Sequence, residues 1–431
     1  MSEAPPYTRQ GWQSLSRPAR QLILTRFLRS MAQGALAVDF SLYLKVRGWS
    51  ASDVGLLLMA GGLAGAVLSL FVGVISDRAG RRVFLLIYEA GLIVGTALII
   101  FFPSAWILVV SAALFGFGRG ANGSSGPFAP AEQAWLAGSI DAKRRGNVFS
   151  FNAGLQFWGM GVGSILAAIL PHMIPAARGP AAYLPLFLLN LLIAVINLIQ
   201  IFAIEEAPRP PESPKTAAQR HDESHVTQRE NRALFLLTLV NMVNALGVGL
   251  VAPLLPYWFN LKFGVGPTAI GPVYAVTFFL TGISSLVIGR MSERVGLIRS
   301  IVLPRVLGVA LLLAIPFMPS FAIAAVLYVA RSIVNRSSMG ARQAFSVGLV
   351  RDKRRGFASS LNALSWGLPA AVGPALGGWI ISGGSLVLPF LIASTLQLGY
   401  VVLFPTLMAR YDPSQAPDHA KISSRASSRE N

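Results

Sequence analysis

Asp39 stands inside the apolar stretch "GALAVDFSLYLK", about 20 Å along a helix from Arg26 at 1.5 Å of rise per residue. An ionisable group well inside a membrane span costs a few kcal/mol, so its default reading is functional. A carboxyl group whose surroundings can alternate between apolar packing and a nearby arginine is able to load and unload a proton. Arg119 and Arg331 interrupt other apolar stretches, in "FGRGAN" and "VARSIVN". Each is followed on about the same helical face by an asparagine, Asn122 or Asn335. A guanidinium does not usefully give up its proton. The two arginines therefore read as counter-ions for Asp39 or as ligands for an anionic solute. Asn152, Gln156, Asn241, Asn244, Asn362 and Trp366 lie in further apolar stretches and read as substrate-facing cavity walls.

Other chemistry is excluded by what the chain lacks. It has no Gly-x-x-x-x-Gly-Lys-Ser/Thr phosphate loop and no cysteine, and its four histidines (His172, His221, His225 and His419) form no ligand cluster. No catalytic residue, metal or cofactor is expected, and a proton gradient is the expected driving force.

The elements that must hold these groups follow from hydropathy. Of the 431 residues, 54% are hydrophobic and 13% charged, against about a quarter charged in soluble domains. The apolar residues come in runs of the length that crosses a bilayer as a helix. Twelve spans are predicted, at 24–45, 53–75, 83–102, 105–127, 147–170, 182–204, 234–258, 268–288, 300–318, 320–345, 357–382 and 384–408. The fold class is an all-α membrane protein. Its expected organisation is a polar N-terminal tail (1–20), a six-helix half (21–204), a Pro-rich charged linker (205–232), a second six-helix half (233–409) and a polar tail (410–431). The net charge of +18 reflects basic residues gathered in alternate loops. That bias places both termini in the cytoplasm and removes any need for a nucleic-acid partner. The expected partners are the bilayer, a small solute and protons, with a monomer in the cell (inner) membrane.

Residues 73–82, "GVISDRAGRR", break two apolar runs with Gly73, Asp77, Arg78, Gly80, Arg81 and Arg82. A worn copy, "GRMSERVGLIR", begins at Gly289, 216 positions beyond Gly73, and retains Glu293 and Arg294. Further along, at a separation of 210, "KRRG" (143–146) recurs at 353–356 and Asn152 meets Asn362. Matches in glycines, a basic triplet and an asparagine mark a duplication, with a site between the halves. Glycines let helix ends approach closely, and Asp77 can pair with arginines or cap a helix N-terminus. The arginines of this loop are expected to anchor topology and to latch one face of the seam. Glu132 and Arg342 occupy equivalent places and are expected to brace these loops, Glu132 with Arg81 or Arg82 and Arg342 with Glu293. Glu89 and Arg305 are also equivalent and are expected to snorkel to the interface.

The loop at 73–82 resembles motif A of the major facilitator superfamily. "LFGFGRGANG" (114–123) is similar to motif B of that family, with Arg119, Asn122 and Gly123, and "GPALGG" (373–378) to its motif C element. In the family's proton-coupled antiporters that last element belongs to the fifth helix. Here the fifth span carries only a degenerate form, Gly159, Gly163, Ser164, Ala167 and Ala168. The resemblance covers about 20–410 and implies a secondary transporter of two pseudo-symmetric six-helix halves. It also implies that Arg119 tunes proton exchange. Among family members the chain looks most like the drug efflux proteins, so export of a small amphipathic compound in exchange for protons is the leading expectation. Uptake of a small organic anion, a carboxylate or phosphate, by symport or exchange is the alternative. A non-transporting membrane receptor is the second alternative.

Overall fold

The computed structural model describes residues 9–117, 128–140, 145–174, 177–206, 224–287, 297–337, 342, 345–346, 349 and 355–411. Among these the secondary structure is helical. The first seven principal helices are α1 (Arg17–Val46), α2 (Ala51–Ala79), α3 (Arg81–Phe101), α4 (Ala105–Phe115), α5 (Ala129–Gly138), α6 (Arg145–Ile169) and α7 (Leu184–Phe202). Seven more follow: α8 (Ser224–Val251), α9 (Leu255–Phe263), α10 (Pro267–Val287), α11 (Leu297–Ala314), α12 (Phe321–Ser337), α13 (Arg355–Ser382) and α14 (Leu388–Met408). Among the described residues nine helices are long and apolar enough to cross a membrane. Large side chains such as Phe71, Trp106, Ile199 and Trp379 are exposed. A soluble surface would not carry so many, and a lipid-facing belt requires them.

Local chemistry sets the helix ends and moves several predicted boundaries. Ser16 accepts a hydrogen bond from the Ala19 amide, with a proline in the first turn, so α1 starts at Arg17 rather than near residue 24. Arg26 and Arg29 thereby fall well inside the helix. Ser50 and Asp53 form a reciprocal capping box at the start of α2. Gly80 joins α2 to α3 at φ +94°, a conformation that other residues adopt only with strain. Within the span predicted over 105–127, Gly116 closes α4 in the left-handed conformation, and 118–127 lie outside the described residues. The span predicted over 234–258 is interrupted at Ala252–Leu254, where Pro253 supplies no amide for the ladder. The predicted linker is shorter at its C-terminal side, because α8 already begins at Ser224.

The chain forms two helical halves, α1–α7 and α8–α14. They meet along two helix pairs, α2 with α13 and α6 with α10. Approach is close because glycines line it. A Cβ on Gly378 of the "GPALGG" element would lie 2.2 Å from the Ala51 carbonyl oxygen of the other half. Across the other seam, a Cβ on Gly271 of α10 would lie 2.5 Å from the Ser164 carbonyl oxygen of α6. Glycines also pack helices within a half: on α6, a Cβ on Gly163 would lie 1.8 Å from the Met31 carbonyl oxygen of α1.

Candidate functional site

The polar core of the N-terminal half is built on α1. Arg26 and Arg29 are three residues apart and so share a face of the helix. Arg29 Nε donates to Glu89 Oε1 at 3.0 Å, and its Nη1 donates to Glu132 Oε2. Arg26 donates to Glu132 Oε1 at 3.4 Å and to Gln156 Oε1 at 2.7 Å. All five side chains are buried. Two guanidinium groups and two carboxylates thus neutralise one another across α1, α3, α5 and α6.

This arrangement corrects two expectations. Glu132 does not brace Arg81 or Arg82, because it faces α1 and takes the buried guanidinium groups there. Arg81 donates instead to the Ala134 carbonyl at 2.6 Å, and Arg82 to the Phe202 carbonyl at 2.6 Å, while the Arg82 amide donates to Glu206 Oε2 at 3.0 Å. In these described bonds both guanidinium groups reach carbonyls of their own half. Nor do Glu89 and Arg305 snorkel: each is at most 2% exposed and each has a partner inside its bundle.

The C-terminal half repeats the geometry with the opposite charge. Arg305 on α11 takes the place of Glu89, and donates to Asn244 Oδ1 of α8 at 2.9 Å beneath the Tyr400 ring, 5.5 Å from its centroid. Arg331 on α12 donates to Gln397 Oε1 of α14 at 3.4 Å. Arg342 takes the place of Glu132 and lies over the Trp366 ring at 5.1 Å. Its expected partner Glu293 lies outside the described residues. Arg336 is sandwiched between Phe157 of the N-terminal half and Phe278, at 5.2 and 5.3 Å.

Asp39 is completely buried on α1, and neither carboxylate oxygen has a hydrogen-bond partner. Tyr183 is near enough to feel its charge. Arg119 and Asn122 lie outside the described residues, as do Glu293 and Arg294. Gly73, Asp77 and Arg78 fall in α2, but the Asp77 and Arg78 side chains are outside the described set. Asn152 is buried one turn from Gln156 on α6, with its Oδ1 unpartnered. Asn362 accepts from Asn241 at 2.9 Å, joining α13 to α8 within the C-terminal half. Asn335 is turned towards α11, where Gly308 leaves room for its amide. The structure thus gathers Arg331, Trp366 and Arg342 with Arg305, Asn244 and Gln397. Asn362 and Asn335 lie one turn from Trp366 and Arg331 on their own helices and face Asn241 and Gly308.

The halves are also tied by polar contacts at the end remote from the chain termini. Lys45 donates to Asn260 Oδ1. Tyr257 Oη donates to the Trp49 carbonyl at 3.2 Å, the Ser52 amide to Ser382 Oγ at 2.9 Å, and His172 pairs with Thr268 at 3.0 Å. Sequence reasoning missed this tie and the Arg26–Arg29 pair. For the pair, the signal was two arginines on one face of a helix with Gln33 one turn further along.

Comparison with known proteins fits this architecture. An uncharacterized membrane protein of Saccharomyces cerevisiae, YJR124C, is 22% identical over 321 residues, covering 68% of this chain and 71% of that one. Multidrug resistance protein 2 of Bacillus subtilis is 23% identical over 401 residues, covering 88% and 92%. The crystal structure of the nucleoside transporter NupG superimposes with a TM-score of 0.67 at 12% identity, over 90% of this chain and 99% of that one. At that identity the likeness carries the fold alone. The family model described as Major Facilitator Superfamily matches twice, at residues 22–240 and 237–430. Two helical halves joined along glycine-lined seams, each matched by the same model, place this chain in the Major Facilitator Superfamily of multi-pass membrane transporters.

Proposed function

We propose that the chain is a proton-coupled secondary transporter that works by alternating access, with Asp39 as the group that takes and releases the proton. The observation that carries the reading is the burial of Asp39 with both oxygens unpartnered. A bare carboxylate there costs several kcal/mol, and a proton removes most of that cost. The carboxyl group is therefore coupled to any movement that wets or pairs it. Rocking of the halves on their glycine-lined seams is such a movement. Export of a small amphipathic compound is the direction we assign, supported by the similarity to Multidrug resistance protein 2 along nearly the whole chain.

The test is flux in sealed proteoliposomes under an imposed pH gradient, which also decides against a receptor that moves nothing. Asp39→Asn is expected to abolish pH-driven flux while leaving solute counterflow at no less than about half the parent rate. Unchanged pH-driven flux in that variant would sink the assignment. The termini and linker are assigned to the cytoplasmic side of the inner membrane on the basic-loop bias. Because the chain has no cysteine, single cysteines at Ser2 and Ala177 report orientation directly. An impermeant thiol reagent should reach position 177 from outside and position 2 only after lysis. Uptake of an organic anion is the second reading, and the buried arginines of the C-terminal half favour it.

A further inference from the structure

The C-terminal polar core contains donors in excess. Arg305, Arg331, Asn244, Gln397 and Tyr400 are all at least nine-tenths buried. Arg331 and Arg342 are both close enough to Arg305 to repel it. The described residues bring no carboxylate to any of them. In the sequence, residues 224–409 contain three acids: Glu230, buried near the start of α8, and Glu293 and Asp352, both outside the described set.

The unpartnered atoms are of one kind. Nε of Arg305, Arg331 and Arg342 lacks an acceptor, and so do Nδ2 of Asn244 and Nε2 of Gln397. The amide orientations are fixed, since each amide oxygen already receives an arginine. Their NH₂ groups are therefore free donors. The Tyr400 hydroxyl has no partner either. Like charges held together in a dry interior are unfavourable unless an opposite charge joins them. A cluster of guanidinium and amide donors is the set that a compact anion satisfies.

We propose that the C-terminal half holds a compact anion between Arg305, Arg331 and Arg342, with Asn244, Gln397 and Tyr400 as neutral donors. Two sources share that chemistry: the carboxylate or phosphate end of the transported solute, and a small inorganic anion resident in the bundle. As a statement about cargo it rests on the transport reading above; as a statement about binding it does not. In that sense the duplication has given the two halves separate tasks. One carries the carboxyl group that meets protons, and the other carries the cations that meet an anion.

The experiment uses the full chain in a neutral detergent, in zwitterionic buffer without added salt. Sodium chloride, sodium phosphate and sodium succinate are titrated against a control of equal ionic strength supplied by a bulky sulfonate. Thermal unfolding and calorimetry are the readouts. The parent protein is expected to show saturable stabilisation of several degrees by at least one probe. Arg305→Gln should weaken that probe at least tenfold, and Arg410→Gln, at the end of α14, should leave it unchanged. Asn244→Asp guards against misfolding, since it keeps the side-chain shape and gives Arg305 a built-in anion. It is expected to fold, to be more stable without salt, and to lose the response. No saturable response to any probe, or an equal response in parent and both core variants, overturns the proposal. A succinate or phosphate response accompanied by counterflow identifies the solute as the source. A chloride or phosphate response without flux of that ion identifies a resident ion. Binding that persists while no solute moves overturns the transport reading and leaves the anion site standing.

Discussion

The two halves share a frame and differ in polarity. At the place where α3 carries Glu89, α11 carries Arg305; where α5 carries Glu132, Arg342 stands in the second half. Both exchanges run from acid to base. In the N-terminal core the arginines of α1 are matched by carboxylates, and the atoms left without partners are chiefly acceptors: the Asp39 oxygens, Glu89 Oε2, Asn152 Oδ1 and Asn197 Oδ1. In the C-terminal core they are chiefly donors. Among the described residues, one half is an internal ion-pair network and the other is short of negative charge. Duplication preserved the packing that makes a bundle and released the buried charges to diverge. Packing depends on residue size, whereas buried polarity depends on what a site must meet.

The comparison can be broken by removing matched charges. Glu132→Gln leaves Arg26 and Arg29 short of a carboxylate in a dry site, and is expected to destabilise the protein by about 3–5 kcal/mol. Denaturation in detergent measures this, and a loss under about 1 kcal/mol would show that the network is not structural. In the other half the sign should reverse. Arg305→Gln in anion-free buffer removes an uncompensated charge and is expected to stabilise by about 1–3 kcal/mol. A comparable destabilisation instead would mean that an acid outside the described residues already pairs with Arg305. Asn244→Asp sharpens the contrast by making the second half resemble the first. A charge-assisted bond in place of the 2.9 Å amide contact should stabilise by about 1–2 kcal/mol. The smallest effect belongs to the seam. Lys45→Met removes one partly exposed cross-half bond and should change global stability by less than about 1 kcal/mol. It should still raise thiol labelling of a cysteine placed at Ser41, which is buried one turn before Lys45 on α1.

Much of the fold was legible in the sequence. Runs of apolar residues located the helices, and the duplicated glycines and basic triplets revealed the two halves. The equivalence of Glu89 with Arg305, and of Glu132 with Arg342, was also visible. Their partners were not. Arg26 and Arg29 stand close to where the apolar run begins, and no partner for them was read from the sequence. The Ser16 cap and the proline behind it extend α1 outward, and this moves both arginines into the interior. Hydropathy finds where apolar residues start and is blind to a polar turn that packing has buried. Asn241 and Asn362 were likewise read separately as cavity walls. Their bond to each other depends on the facing of α8 and α13, and no periodicity along one helix records that.

The polar tie at the end remote from the termini acts as a threshold. The four hydrogen bonds between the halves among the described residues, at about 1 kcal/mol each, amount to about 4 kcal/mol, or a roughly thousandfold bias towards the arrangement in which they form. A ligand shifts such an equilibrium only by the difference in its affinity for the two arrangements. A solute that fits both equally well leaves the bias unchanged, however tightly it binds. A change at Lys45, Ser52, His172 or Tyr257 is therefore expected to alter that bias without touching any solute.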